Sequence, residues 1–141
     1  MSFVKIWVHA VWSTKDRKPV LNKDVRQEIF EHIHHNAIEK DIYMEIVNGH
    51  QNHVHCLFRL KADQTIQKTL QLIKGEASFW ANKHGLVKPK LAWQNDYFAV
   101  SVSESQVGAV KKYIENQEEH HAKKTFEQEC NEFFNRYGFR K

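Results

Sequence analysis

The chain has 141 residues, 21 Lys+Arg against 17 Asp+Glu (formal charge +4), and 41% hydrophobic residues. That length suits one domain, residues 1–141, with its own core, and the small basic excess is compatible with a polyanionic partner without requiring one. Two cysteines, Cys56 and Cys130, are too few for a secreted disulfide framework or a thiol-rich zinc site; with no bilayer-length apolar run and no basic-then-apolar leader, a reducing cytoplasm is the expected compartment.

Phe3 to Ser13 (FVKIWVHAVWS) is rich in β-branched and aromatic residues and reads as a first strand paired on both sides. Pro19 punctuates the loop that follows. Asn22 is placed to cap a helix in which Val25, Ile29 and Ile33 recur at fourfold spacing, running to about Lys40. His32, His34 and His35 on that helix read as solvated surface.

Asp41 to Val47 (DIYMEIV) reads as the second strand, Gly49 as a turn, and His53 to Leu60 (HVHCLFRL) as the returning third strand. A second helix spans roughly Thr65 to His84, with Ile66, Leu70, Ile73, Ala77 and Trp80 on one face, and ends near Gly85 and Pro89. Tyr97 to Val100 reads as a fourth strand. Ser103 or Ser105 then caps a third helix with Val107, Val110 and Ile114 toward the core, and a last helix, Thr125 to about Tyr137, carries Phe126, Cys130, Phe133 and Phe134. This order predicts an α+β fold, a ferredoxin-like (RRM-like) split β-α-β with an antiparallel sheet, helices on one face and extra C-terminal helices.

Residues two apart on a strand share a face, so His53 and His55 project side by side with Leu57, while Val54, Cys56 and Phe58 face the core. Two imidazoles held together on a rigid strand suit chelation of a divalent metal; on a solvated face they would be ordinary surface residues. A coordination shell needs completing and a reaction needs a nucleophile. Tyr113 and Gln117, four apart in VKKYIENQ, lie about 40° apart on a helix. A phenol is a competent nucleophile, and a glutamine carbonyl suits Mg²⁺ or Mn²⁺; the structural alternative is a packing aromatic beside a surface amide.

His53-Val54-His55, with Tyr113 and Gln117 one turn apart, resembles the signature of the single-tyrosine HUH transposases of small bacterial insertion sequences, the insertion-sequence 200/605 group. The likeness extends through VHAVWSTKDRKPVL, GHQNHVHCLF, IKGEASFW, WQNDYFAVSVSESQ and YIENQEEHH. It implies a metal-dependent transposase and single-strand endonuclease: His53, His55 and Gln117 bind Mg²⁺ or Mn²⁺, and Tyr113 attacks the scissile phosphorus to give a 5′-phosphotyrosine that is later rejoined. It also implies a homodimer acting on single-stranded DNA, often folded as a hairpin. Repeat-associated cousins often carry Asn where Gln117 stands, so Gln117 leans toward a mobile-element enzyme. Many relatives continue past the glycine matching Gly138, whereas this chain stops at Lys141, which a regulated or degenerate copy would also do.

Such a substrate needs cations and stacking surfaces. The candidates are Lys15, Arg17, Lys18, Lys74, Lys83, Lys111 and Lys112, with Trp93 and Tyr97 for stacking; Lys112 would also favour the Tyr113 phenolate, and His120 and His121 would be structural or support the metal ligands. The competing readings are a related replication or mobilisation nickase, and a non-catalytic or domesticated nucleic-acid-binding protein of the same fold.

Overall fold

The computed structural model describes residues 1–139. Four strands, β1 (Ile6–Ser13), β2 (Tyr43–Gly49), β3 (His53–Leu60) and β4 (Phe98–Val102), form one antiparallel sheet ordered β2-β3-β1-β4. The helices are α1 (Lys23–Glu39), α2 (Ile66–Lys83), α3 (Val107–Glu115), α4 (Gln117–His121) and α5 (Phe126–Tyr137). β1 lies inside the sheet, as its uncharged run IWVHAVWS suits: it pairs Val11 with His55 and Ser13 with His53 on one side, and Val11 with Phe98 on the other.

Alternation sorts the side chains between two layers. Val8, Ala10, Trp12, Val54, Cys56 and Phe58 face α1 and α2, where they join Ile29, Phe30, Ile33, Leu70, Ile73 and Ala77 in the main core. Trp7, Leu57 and Ile114 pack on the opposite face with Val107 and Val110 of α3, while Val11 meets Phe126, Cys130 and Phe133 of α5. The C-terminal helices therefore roof the sheet face that carries the histidines.

The β2–β3 turn is set by Gly49. A Cβ there would come within 2.2 Å of the His53 carbonyl oxygen, which itself accepts a hydrogen bond from the His50 amide at 3.1 Å. Only a residue without a side chain fits that approach.

Several expected boundaries move. β2 begins at Tyr43, because Asp41 sits at φ 62° and its amide donates to Ile38, so the chain is still turning out of α1. The segment after β4 first makes a single 3-10 turn, Glu104–Gln106, and neither serine caps α3 with its side chain. The helix expected to carry both Tyr113 and Gln117 is broken at Asn116 (φ −97°, ψ 28°). The cause is Asn48 on β2, whose amide Nδ2 donates to the Ile114 and Glu115 carbonyls at 2.9 and 3.2 Å and so takes up the end of α3. His32 is half-buried rather than solvated: it stacks on Trp80 at 3.9 Å, and its Nε2 lies 3.0 Å from Glu76 Oε1, clamping α1 to α2.

Candidate functional site

His53 and His55 sit in the middle of the roofed face, each 0% exposed, so the solvated-strand alternative does not apply. Gln117, also 0% exposed, begins α4. Its Oε1 lies 3.1 Å from His53 Nε2, and its Nε2 donates to the Tyr113 carbonyl at 3.4 Å across the break. The Tyr113 ring stands 5.7 Å from the His55 ring, so the four residues singled out in the sequence share one pocket within a single chain.

Four further residues complete it. Glu129 on α5 is 0% exposed; its Oε1 lies 3.1 Å from His55 Nε2, 3.5 Å from His53 Nε2 and 3.6 Å from His121 Nε2. Its Oε2 accepts a short hydrogen bond from the Tyr113 hydroxyl and lies 3.0 Å from His120 Nε2. His121 Nε2 is 3.1 Å from Gln117 Oε1. His9, on the same row of β1, places its Nε2 2.9 Å from His55 Nδ1.

The outer partners fix how the imidazoles are protonated. His121 Nδ1 lies 2.8 Å from the Lys124 carbonyl, which can only accept, so this nitrogen carries the proton. By the same reasoning His53 Nδ1 donates to Asn52 Oδ1 at 2.9 Å, whereas the His9 Nε2–His55 Nδ1 contact joins two nitrogens either of which can hold the shared proton. With one proton per ring, the Nε2 atoms of His53 and His121 are then lone pairs facing Gln117 Oε1 and Glu129 Oε1, and His55 Nε2 reaches the same Glu129 oxygen. Acceptors facing acceptors at about 3 Å repel unless a cation or shared protons lie between them. The ligand atoms of His53, His55 and Glu129 all fall within 4.8 Å of one another, so the residues present fit a divalent metal.

Burial keeps His9 and His53 neutral beside one anion. Burial pushes His9 down to about 3, with the neighbouring His55 adding to the effect, and burial likewise lowers His53 well below its ordinary value. Burial alone would raise the Glu129 carboxyl, but the imidazoles of His121 and His55 set against its oxygens outweigh it and hold the group well below the usual carboxylate range. The Tyr113 phenol is pushed up, first by burial and then by the Glu129 charge and hydrogen bond. The expected help from Lys112 is therefore outweighed in this arrangement. Lys112 is exposed and lines a cleft of about 570 Å³ beside Tyr113, with Asn116, His120, Lys123 and Lys124.

The other cation candidates divide. Lys15, Arg17 and Lys18 are exposed in the loop after β1, and the Arg17 guanidinium lies over the Phe126 ring at 5.3 Å. Lys83 is exposed at the end of α2. Lys74 is committed to the loop before β4, donating to the Gln94 carbonyl at 2.8 Å, and Lys111 pairs with Glu45 at 3.5 Å. Trp93 packs edge-on against Trp12 and donates to the Lys74 carbonyl, which makes it a packing residue; Tyr97 remains 38% exposed.

Glu129 and His9 carried no assignment from the sequence. Glu129 left a trace there, as a lone carboxylate on the apolar stripe of Phe126, Cys130 and Phe133. His9 left a weaker one, as a polar residue on an otherwise apolar row of β1.

The family model described as "Transposase IS200 like" matches residues 2–117. A candidate transposase from Deinococcus radiodurans R1 superposes with a TM-score of 0.65 at 21% identity, covering 82% of this chain and 93% of its own. A REP-associated tyrosine transposase bound to a REP hairpin superposes with a TM-score of 0.55 at 13% identity, covering 83% of this chain and 67% of its own. No curated protein sequence matches the chain.

Proposed function

The chain belongs to the IS200-like transposases, and on that premise we propose that it cleaves and rejoins single-stranded DNA through a tyrosine–DNA link. The observation that carries this reading is the convergence, in one pocket, of a phenol and the Nε2 nitrogens of two strand-borne histidines. The similarity to a tyrosine transposase bound to a REP hairpin supports a substrate of the same class, single strands with hairpin ends.

In this reading His53, His55 and Gln117 hold a divalent ion, Mg²⁺ or Mn²⁺. When bound, the ion withdraws charge from the phosphoryl oxygens and stabilises the leaving 3′ oxygen. With the ion bound, His53 Nδ1 would donate to Asn52 Oδ1 and His55 Nδ1 to His9 Nε2, so that both rings offer Nε2. The Tyr113 Oη forms a bond to the scissile phosphorus as the phosphorus–O3′ bond breaks, leaving a 5′-phosphotyrosine and a 3′ oxygen that takes a proton from water to become the 3′-hydroxyl. The phenol proton needs an acceptor, and His120 serves: its Nε2 lies 3.4 Å from Oη, and burial lowers its pKa, keeping it neutral. Attack by a 3′-hydroxyl on the phosphotyrosine reverses the step and reseals DNA, because the link conserves the bond energy.

Phosphate contacts fall to Lys15, Arg17 and Lys18, and to Lys112 with Lys123 around the cleft; Lys74, Lys111 and Lys124, already engaged, contribute less. Lys83 would extend this basic surface along α2. The reading implies a homodimer working on DNA in the cytoplasm; no helix among the described residues is long and apolar enough to cross a membrane.

Incubation with labelled single-stranded element ends and Mn²⁺ tests the proposal. A denaturant-resistant protein–DNA adduct is expected, falling to background in Tyr113→Phe and with chelator. Mixing Tyr113→Phe with His55→Ala protein distinguishes geometries: recovery of adduct means that one protomer's tyrosine serves its partner's histidines. Binding of the same strands without any adduct would favour the non-catalytic reading.

A further inference from the structure

The family match ends at residue 117, yet the pocket is closed by a helix that lies beyond it. α5 begins with a complete capping box, Thr125 and Gln128 satisfying each other's backbone amides, and ends at Gly138 in the left-handed conformation. It is thus a well-delimited unit, joined to α4 by residues 122–125. Its apolar stripe of Phe126, Cys130 and Phe133 docks on Val11 and Tyr113, and that docking inserts Glu129 into the pocket.

The placement of Glu129 has the form of a substrate. One carboxylate oxygen meets the nitrogens of His53 and His55, and the other takes the hydroxyl of Tyr113. A scissile phosphate must do the same, with one oxygen toward the histidine-held ion and its phosphorus before the phenol. Both groups are oxyanions, and the two cannot hold the same histidine nitrogens and the same phenol at once. From this geometry we infer that Glu129 is a ligand of the metal centre, supplied from outside the family segment, and that it holds the coordination position the DNA phosphate must take. The closed arrangement is then a resting state. Metal is retained by an added anionic ligand, and DNA enters by displacing the carboxylate and lifting α5 off Tyr113. This inference rests on the metal-site reading above.

Titration of the 141-residue chain with Mn²⁺ in the absence of DNA, followed by calorimetry, tests it. Glu129→Gln keeps the size of the side chain and removes the charge; it should weaken Mn²⁺ binding by about tenfold or more. Glu129→Asp keeps the charge but retracts it by one methylene, and an intermediate loss is expected. At saturating Mn²⁺, Glu129→Gln should give more protein–DNA adduct than the unaltered chain, since the phosphate no longer competes with a carboxylate. Mn²⁺ affinity unchanged in both variants would overturn the ligand assignment, provided His55→Ala still abolishes binding. If His55→Ala also leaves binding unchanged, the metal-site reading itself is wrong. Weaker metal binding together with less adduct at saturating metal would overturn the displacement, making Glu129 a ligand that stays in place throughout.

Discussion

The two faces of one sheet present opposite solutions to burial. Toward α1 and α2, β3 contributes Val54, Cys56 and Phe58, all 0% exposed, to a core of apolar residues. Toward α3–α5 the same strand contributes His53, His55 and Leu57, equally buried. The first face is held by area and shape, so each contact matters through the volume it fills. The second holds a carboxylate, four imidazoles and an amide in a small space, where each polar atom must find a partner. Neighbouring residues of one strand therefore answer to different physics, and substitutions one position apart should separate stability from chemistry.

The largest effect belongs to the apolar face. Phe58→Ala should cost about 3–5 kcal/mol of folding free energy by leaving a cavity, read as a lower urea midpoint with an unchanged slope. Its metal affinity, measured below the denaturation midpoint, should be nearly intact. His55→Ala should reverse the pattern, lowering adduct formation by about 10²-fold at fixed Mn²⁺ with a smaller stability loss than Phe58→Ala. If the two variants fail alike in both assays, the division between the faces is wrong.

Acid sharpens the contrast further. In the folded chain His9 takes a proton only near pH 3, whereas its ordinary value is 6.5. Between those values the unfolded chain binds a proton that the native chain does not, so stability is full above about pH 7 and falls as pH drops. Each such imidazole contributes up to about 1.4 kcal/mol per pH unit. Glu129, held low, also favours the native state until acid protonates the unfolded carboxylate, but that loss begins only below about pH 4.5. Urea midpoints in chelator at pH 7.0, 6.0 and 5.0 therefore isolate the histidines, and His9→Gln should flatten the slope. A slope unchanged by that substitution would remove His9 from the account.

The smallest effect is expected at the rim. Lys112→Ala should weaken single-strand binding by about threefold and reduce the salt dependence by about one counterion. A larger loss confined to one DNA sequence would mean that Lys112 reads bases rather than backbone.

Much of this was legible along the chain because strand and helix periods are local properties. Period two assigned His53 and His55 to one face and Val54, Cys56 and Phe58 to the other before any contact was known. The apolar steps through α2 and α3 likewise foretold Leu70, Ile73, Val110 and Ile114 as packing residues. The chemical types of Tyr113 and Gln117 suggested a site, and the fold brings both beside the histidines. The helix break between them was not legible, because its cause, Asn48, lies 66 residues before Ile114.

The amino-acid sequence by itself determined the α+β order, the two-faced sheet and the histidine, tyrosine and glutamine that join in the pocket. Tertiary structure alone decided that α5 lies over that pocket, that Glu129 links Tyr113 to the histidines, and that His9 meets His55. The physical reason is range. Periodicity states which side of an element is apolar, but not which distant surface that side will cover. A carboxylate on such a stripe acquires its partners only when the stripe docks.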